Sequence, residues 1–129
     1  MAVHPSRHFL LRKLHQLTGV VPLGVFLLEH FYINSRALGS AAAGKTGEQL
    51  YNASVADLRS IPCILFIEVF GIVLPLTFHG IYGLVIARES VPNTRQYGYA
   101  RNWLYLLQRV TGVFLFVFIT FHLLNFRFG

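Results

Sequence analysis

Three histidines fall inside strongly apolar stretches: His30 in FLLEHFYIN, His79 in LPLTFHGIYGLVIA and His122 in FITFHLLNF. Residues 110–126, around the last of these, contain no Asp, Glu, Lys or Arg. An ionisable group in such a setting is costly, by about 2.5–3.5 kcal/mol for a charge at the centre of a membrane span, and is a functional candidate by default. Imidazole can bind a metal through a ring nitrogen, relay a proton or hydrogen-bond a carbonyl on a neighbouring helix. Which of these applies depends on the elements that hold the rings.

Composition fixes the class of those elements. Of 129 residues, 54% are apolar, 15% are aromatic and only 12% are charged, with a mean hydropathy of +0.54. That profile excludes an ordinary soluble domain and predicts an all-α integral membrane protein. Three segments, 14–33, 61–87 and 103–126, are each long enough to cross a bilayer as a helix, and residues 1–129 read as a single membrane domain. The amino-terminal MAVHPSRH lacks the short apolar core of a cleaved leader, so the first span is read as retained. Pro22 and Pro75 fall within spans, where neighbouring helices can satisfy the carbonyls they free. Cys63 is the sole cysteine and can form no internal disulfide. The +6 net charge is scattered over segment ends, which argues against nucleic acid.

Arg7, Arg12 and Lys13 precede the first span, and Arg88, Arg95 and Arg101 lie between the second and third, so both regions are expected to be cytoplasmic. At about 1.5 Å per residue, His30 lies roughly 24 Å from Leu14 and His122 roughly 28 Å from Trp103, both ascending from the inner face. They reach a common outer depth. Two imidazoles at one depth on different helices suit a six-coordinate haem lying between the helices. Simple hydrogen bonding to neighbouring carbonyls is the alternative, and no Cys or carboxylate cluster completes a zinc site.

His79 lies on the descending span, roughly 27 Å from Ile61, and ends near the inner face, away from the other two. Gly80 and Gly83 follow it, with Gly83 at i+4 on its own face, leaving room for a flat ring or for another helix. An opposing ligand is lacking: Met1 is the only methionine, and His4, His8 and His15 lie at or before the inner face, His15 being the fallback. Leu17-Thr18-Gly19-Val20 and Val110-Thr111-Gly112-Val113 each open a span, with a histidine 11 and 10 residues after the glycine, which suggests that the first and third helices are built alike.

Two further motifs carry little. Residues 39–46 match the G-x-x-x-x-G-K-T pattern of a phosphate-binding loop, but such a loop needs a preceding strand in a parallel sheet, and here a membrane span precedes it. Asn52-Ala-Ser54 fits a glycosylation sequon, which matters only on a eukaryotic secretory route.

RKLHQLTGVVPLGVFLLEH, LPLTFHGIYGLVIA and QYGYARNWLYLLQRVTGVFLFVFITFH together resemble the dihaem cytochrome b membrane anchor of succinate:menaquinone oxidoreductases and fumarate reductases. The likeness covers nearly the whole chain and is loosest between Arg36 and Ser60. It implies a bacterial cytoplasmic-membrane, multi-pass subunit that is part of a five-helix bundle holding two b haems. His30 with His122 would ligate the distal haem, and His79 would give one ligand to the proximal haem. The family pattern continues for two more helices and a fourth ligand beyond Arg127-Phe128-Gly129; a second membrane chain is expected to supply them, the alternatives being a shortened form that binds one haem and a remainder of the chain beyond these residues.

The resemblance further implies flavoprotein and iron–sulfur subunits on the inner face, with electrons passing through the b haems to menaquinone or another quinone. The subunit itself would do no chemistry on succinate, although it could contribute to a quinone site. Arg12, His15, Gln108 and Arg109, near the inner face, are candidates for haem propionate or quinone contacts, or for interfacial anchoring. Glu29 and Glu68 lie toward the outer face, where a carboxylate could move protons for a quinone. Trp103, Tyr105, Tyr97 and Tyr99 read as an interfacial aromatic belt. The competing functions are a cytochrome b of another membrane dehydrogenase and a haem-free scaffold or transporter fragment.

Overall fold

The computed structural model describes residues 5–39 and 44–127; His4 and the middle of the 39–46 phosphate-loop pattern lie outside them. Among the described residues the regular structure is entirely helical: α1 (Pro5–Val20), α2 (Pro22–Arg36), α3 (Gly47–Arg59), the single turn α4 (Ile64–Ile67), a π-helical segment (Glu68–Val73), α5 (Leu74–Glu89) and α6 (Ala100–Arg127). Three helical stretches, Arg7–Arg36, Ile64–Glu89 and Ala100–Phe126, are long and apolar enough to cross a membrane. The first runs several residues beyond 14–33 at both ends.

α1 and α2 form one path interrupted at Pro22. Proline has no N–H to donate to the Thr18 carbonyl, so one rung of the ladder is missing. Val21 nevertheless keeps helical dihedrals (φ −83°, ψ −72°). The Val21 and Val25 amides donate to the Leu17 and Val21 carbonyls at 2.9 and 3.1 Å, carrying the helix past the proline.

The second span is irregular for a similar reason. In an α-helix the ring of Pro75 would collide with the Gly71 carbonyl four residues back. The turns before it are widened instead, and the Leu74 amide donates to the Val69 carbonyl five residues back. The span is entered through Cys63, an exposed free thiol whose backbone is left-handed (φ 59°). Its carbonyl accepts from the Phe66 and Ile67 amides at 2.9 and 3.2 Å.

The segment between the first two spans contains α3. Its start is a capping box: the Gln49 amide donates to Thr46 Oγ1 at 3.3 Å, and the Thr46 amide donates to Gln49 Oε1 at 3.0 Å. Glu48 in the first turn and Arg59 in the last complement the helix dipole. Gly47 abuts the Ala37 carbonyl so closely that a Cβ there would overlap it. That contact lays α3 against α2.

The chain divides into two compact units, Met1–His79 and Gly80–Gly129, with α5 carrying the backbone from one to the other. In the first, α2 packs against α1, α3 and the π segment. In the second, Gly80 receives the ring of Phe116 from α6; a Cβ at Gly80 would lie 2.6 Å from two ring carbons. Among the described residues no side chain is fully buried, and large apolar groups stand open, Leu28 at 74%, Phe114 at 71% and Phe126 at 81% exposure. Burying one such side chain is worth about 1.5–3 kcal/mol, so these surfaces require lipid or further helices around them.

Candidate functional site

The most developed polar arrangement lies in the first unit, where His79 of α5 meets α1. The ring of His79 lies flat on that of His15, with centroids 4.0 Å apart and planes within 11°. His79 Nδ1 is 2.9 Å from the His15 carbonyl oxygen. A carbonyl only accepts, so Nδ1 is the donor, and in the neutral ring Nε2 then carries the free lone pair. Thr18 Oγ1 donates to the same carbonyl at 3.0 Å and lies 3.5 Å from His79 Nδ1. Gly19 completes the seat, since a Cβ there would come within 2.5 Å of His79 Cε1. His15, Thr18 and Gly19 are spaced i, i+3 and i+4 and share one face of α1.

A histidine with one ring nitrogen fixed on a carbonyl and the other bearing a lone pair is the standard form of a metal-bound imidazole. The residues around His79 therefore fit an axial iron ligand. His15, the fallback for the ligand opposing His79, is brought into contact with it, but with the rings stacked and not opposed. Gly83, one turn beyond His79 on α5, belongs to the second unit and is half-buried.

His30 lies on α2 in the first unit. Its ring packs beside Phe26 at 5.4 Å and Phe31 at 6.2 Å, and its carbonyl accepts from Asn34 Nδ2 at 2.7 Å. Next to it, Glu29 Oε1 is shielded from solvent without a hydrogen-bond partner. His122 lies on α6 in the second unit, between Phe118 at 5.9 Å and Phe126 at 4.9 Å. Both histidines are half-exposed and carry a phenylalanine four residues earlier. This aromatic i−4 neighbour extends the internal likeness of the first and third spans beyond the Thr-Gly pairs, and it was legible in the sequence.

The remaining candidates are dispersed. Arg109 folds back along α6, with Cζ 3.2 Å from the centroid of the Tyr105 ring and Nη1 donating to the Tyr105 carbonyl at 3.0 Å. Its Nε is shielded and has no hydrogen-bond partner. The Gln108 carbonyl accepts from Thr111 Oγ1 at 3.2 Å. Arg12 is exposed on α1, and Glu68 opens the π segment.

No family model and no solved structure matches the sequence. It is 40% identical over 117 residues to the succinate dehydrogenase cytochrome b558 subunit of Bacillus subtilis, covering 91% of this chain and 54% of that protein. The chain thus spans about half the length of the relative it matches.

Proposed function

We propose that this chain is a membrane anchor and electron-transfer subunit of a succinate dehydrogenase in the bacterial cytoplasmic membrane, passing electrons between an iron–sulfur subunit and menaquinone or another quinone. The observation that carries the reading is the state of His79: its Nδ1 hydrogen is committed to the His15 carbonyl, which leaves the Nε2 lone pair able to bind a metal. The 40% identity to a cytochrome b558 subunit supports the choice of b haem as the group it would hold.

In this reading His79 would give one ligand to the inner, proximal haem, the other coming from outside these residues. His30 and His122 would be the ligands of the distal haem, as their matched distances along the first and third spans suggest. Haem supplies a one-electron carrier whose potential responds to axial ligands, hydrogen bonding and burial. The chain's own side chains set those conditions. Phe26, Phe118 and Phe126 flank the two outer imidazoles, while the shielded Glu29 carboxyl beside His30 can hold or release a proton for a quinone. Arg12 and Arg109 offer positive charge at the inner end, toward propionates or the flavoprotein and iron–sulfur subunits.

The test is a reduced-minus-oxidised spectrum of the complex purified through a tag on this chain, with pyridine haemochrome quantitation and succinate as reductant. Two succinate-reducible b haems per chain, with a flavoprotein and an iron–sulfur protein copurifying, are expected. Haem reducible only by another donor would assign the chain to a different dehydrogenase. Absence of haem would return the histidines to helix packing.

A further inference from the structure

We propose that His15 is a positioning residue for the axial imidazole of His79 and not its opposing ligand; the inference rests on the haem reading above.

His15 controls His79 twice, through different atoms. Its carbonyl, 2.9 Å from Nδ1, decides which ring nitrogen keeps the hydrogen. Its ring, 4.0 Å away and 11° from parallel, decides the plane in which the imidazole lies. Thr18 Oγ1 donates to the same carbonyl at 3.0 Å, and Gly19 leaves space on the remaining side that a Cβ would fill. Rotation of the His79 ring would therefore break the hydrogen bond, the stack or the clearance over Gly19.

The stacking also argues against His15 as a ligand. An imidazole binds metal through a lone pair in its own ring plane, so two ligands on opposite sides of one iron point at each other edge to edge. Rings stacked face to face direct their lone pairs side by side, and the 4.0 Å between them has no room for a macrocycle. The fourth ligand must come from elsewhere, and His15 acts on the iron only through His79. Ligand-plane orientation governs the g-value spread of low-spin ferric haem, and the hydrogen bond on the distal ring nitrogen governs ligand basicity and potential.

The experiment compares the whole purified complex carrying wild-type chain, His15→Ala or His15→Phe by low-temperature EPR of the oxidised state, redox titration and haem content per chain. Full haem content is expected in all three. His15→Ala moves the low-spin signal and midpoint of one haem and leaves the other in place, while His15→Phe, which keeps a flat ring but has no nitrogen, returns both toward wild type. Loss of one haem from the Phe variant would make His15 a ligand and overturn the proposal. So would unchanged signals in both variants, or a Phe variant displaced as far as Ala. If the Ala variant fails to assemble, His15→Leu, which fills the space without a flat ring, takes its place: a displaced signal with Leu beside a near-wild-type one with Phe is expected, and wild-type signals in both would overturn the proposal. A wild-type complex without b haem sinks the parent reading, an outcome visible before either variant is made.

Discussion

His79 and His15, 64 residues apart in the chain, are joined by a stacked ring pair and by a hydrogen bond from Nδ1 to a backbone carbonyl. A polar ring nitrogen in hydrocarbon would cost several kcal/mol if left unmet, so this bond is a helix-packing contact, and under the proposed haem reading it would also ready Nε2 for metal. Packing between α1 and α5 and the chemistry of the site thus share the same atoms. Any change to the seat on α1 should register in the haem before it registers in the fold.

Ligand substitutions test the assignment directly. His79→Ala should remove one b haem from the complex and leave the other, and His30→Ala and His122→Ala should each remove the second haem only. The check is pyridine haemochrome content beside the low-spin EPR signals of each variant. Equal loss of both haems from every variant would show that the residues support assembly and not individual sites.

Gly19→Ala should reach the same haem as His79→Ala by a different route. The new methyl would lie 2.5 Å from His79 Cε1, so the imidazole must leave the His15 carbonyl or α1 must move. Overpacking of this kind costs about 1–3 kcal/mol, against a gain of up to about 1 kcal/mol from better helix propensity. A lowered content or displaced spectrum of the His79-linked haem is expected, with the other haem unchanged. A wild-type spectrum would mean that α1 yields freely at this point.

The three spans and the exclusion of a soluble fold follow from apolar runs longer than a bilayer requires, a signal set by local composition. The seat of His79 does not follow from composition, because it depends on how α1 and α5 are rotated toward each other. Depth counting put His79 near the inner end and His15 at the inner face, yet a helix length along one axis says nothing about azimuth. The π segment before Pro75 adds to the difficulty, since its wider turns reset the face on which His79 emerges. The phosphate-loop match, by contrast, hid a readable feature: its last residue, Thr46, with Gln49 three positions on, is a capping box that announces α3.

Thr46→Ala should loosen α3 at its start. The substitution removes the acceptor for the Gln49 amide, and such caps are worth about 0.5–2 kcal/mol. Faster hydrogen exchange of the amides in the first turn of α3 is expected, with exchange in α6 unaffected. Thr46→Ser should hold the wild-type rate, because its hydroxyl can accept the same bond. If Thr46→Ala exchanges at the wild-type rate, the contact of Gly47 with the Ala37 carbonyl is enough to hold the helix start.

Gly80 and Phe116 provide the corresponding test in the second unit. A methyl at Gly80 would meet Phe116 Cδ2 and Cε2, each at 2.6 Å, well inside the separation at which carbon atoms attract. The ring cannot flex away within its own plane, so α5 or α6 must shift, and a loss of about 1–3 kcal/mol is expected. Helix propensity returns up to about 1 kcal/mol of that, leaving Gly80→Ala destabilising on balance. The measurement is the thermal midpoint of the assembled complex, read by loss of the haem spectrum, for Gly80→Ala, Phe116→Leu and the double variant. If the two residues interlock, the double variant should be more stable than the sum of the single losses predicts, because the slimmer leucine leaves space for the methyl. Simple additivity would mean that the two helices are not held at this contact in the complex.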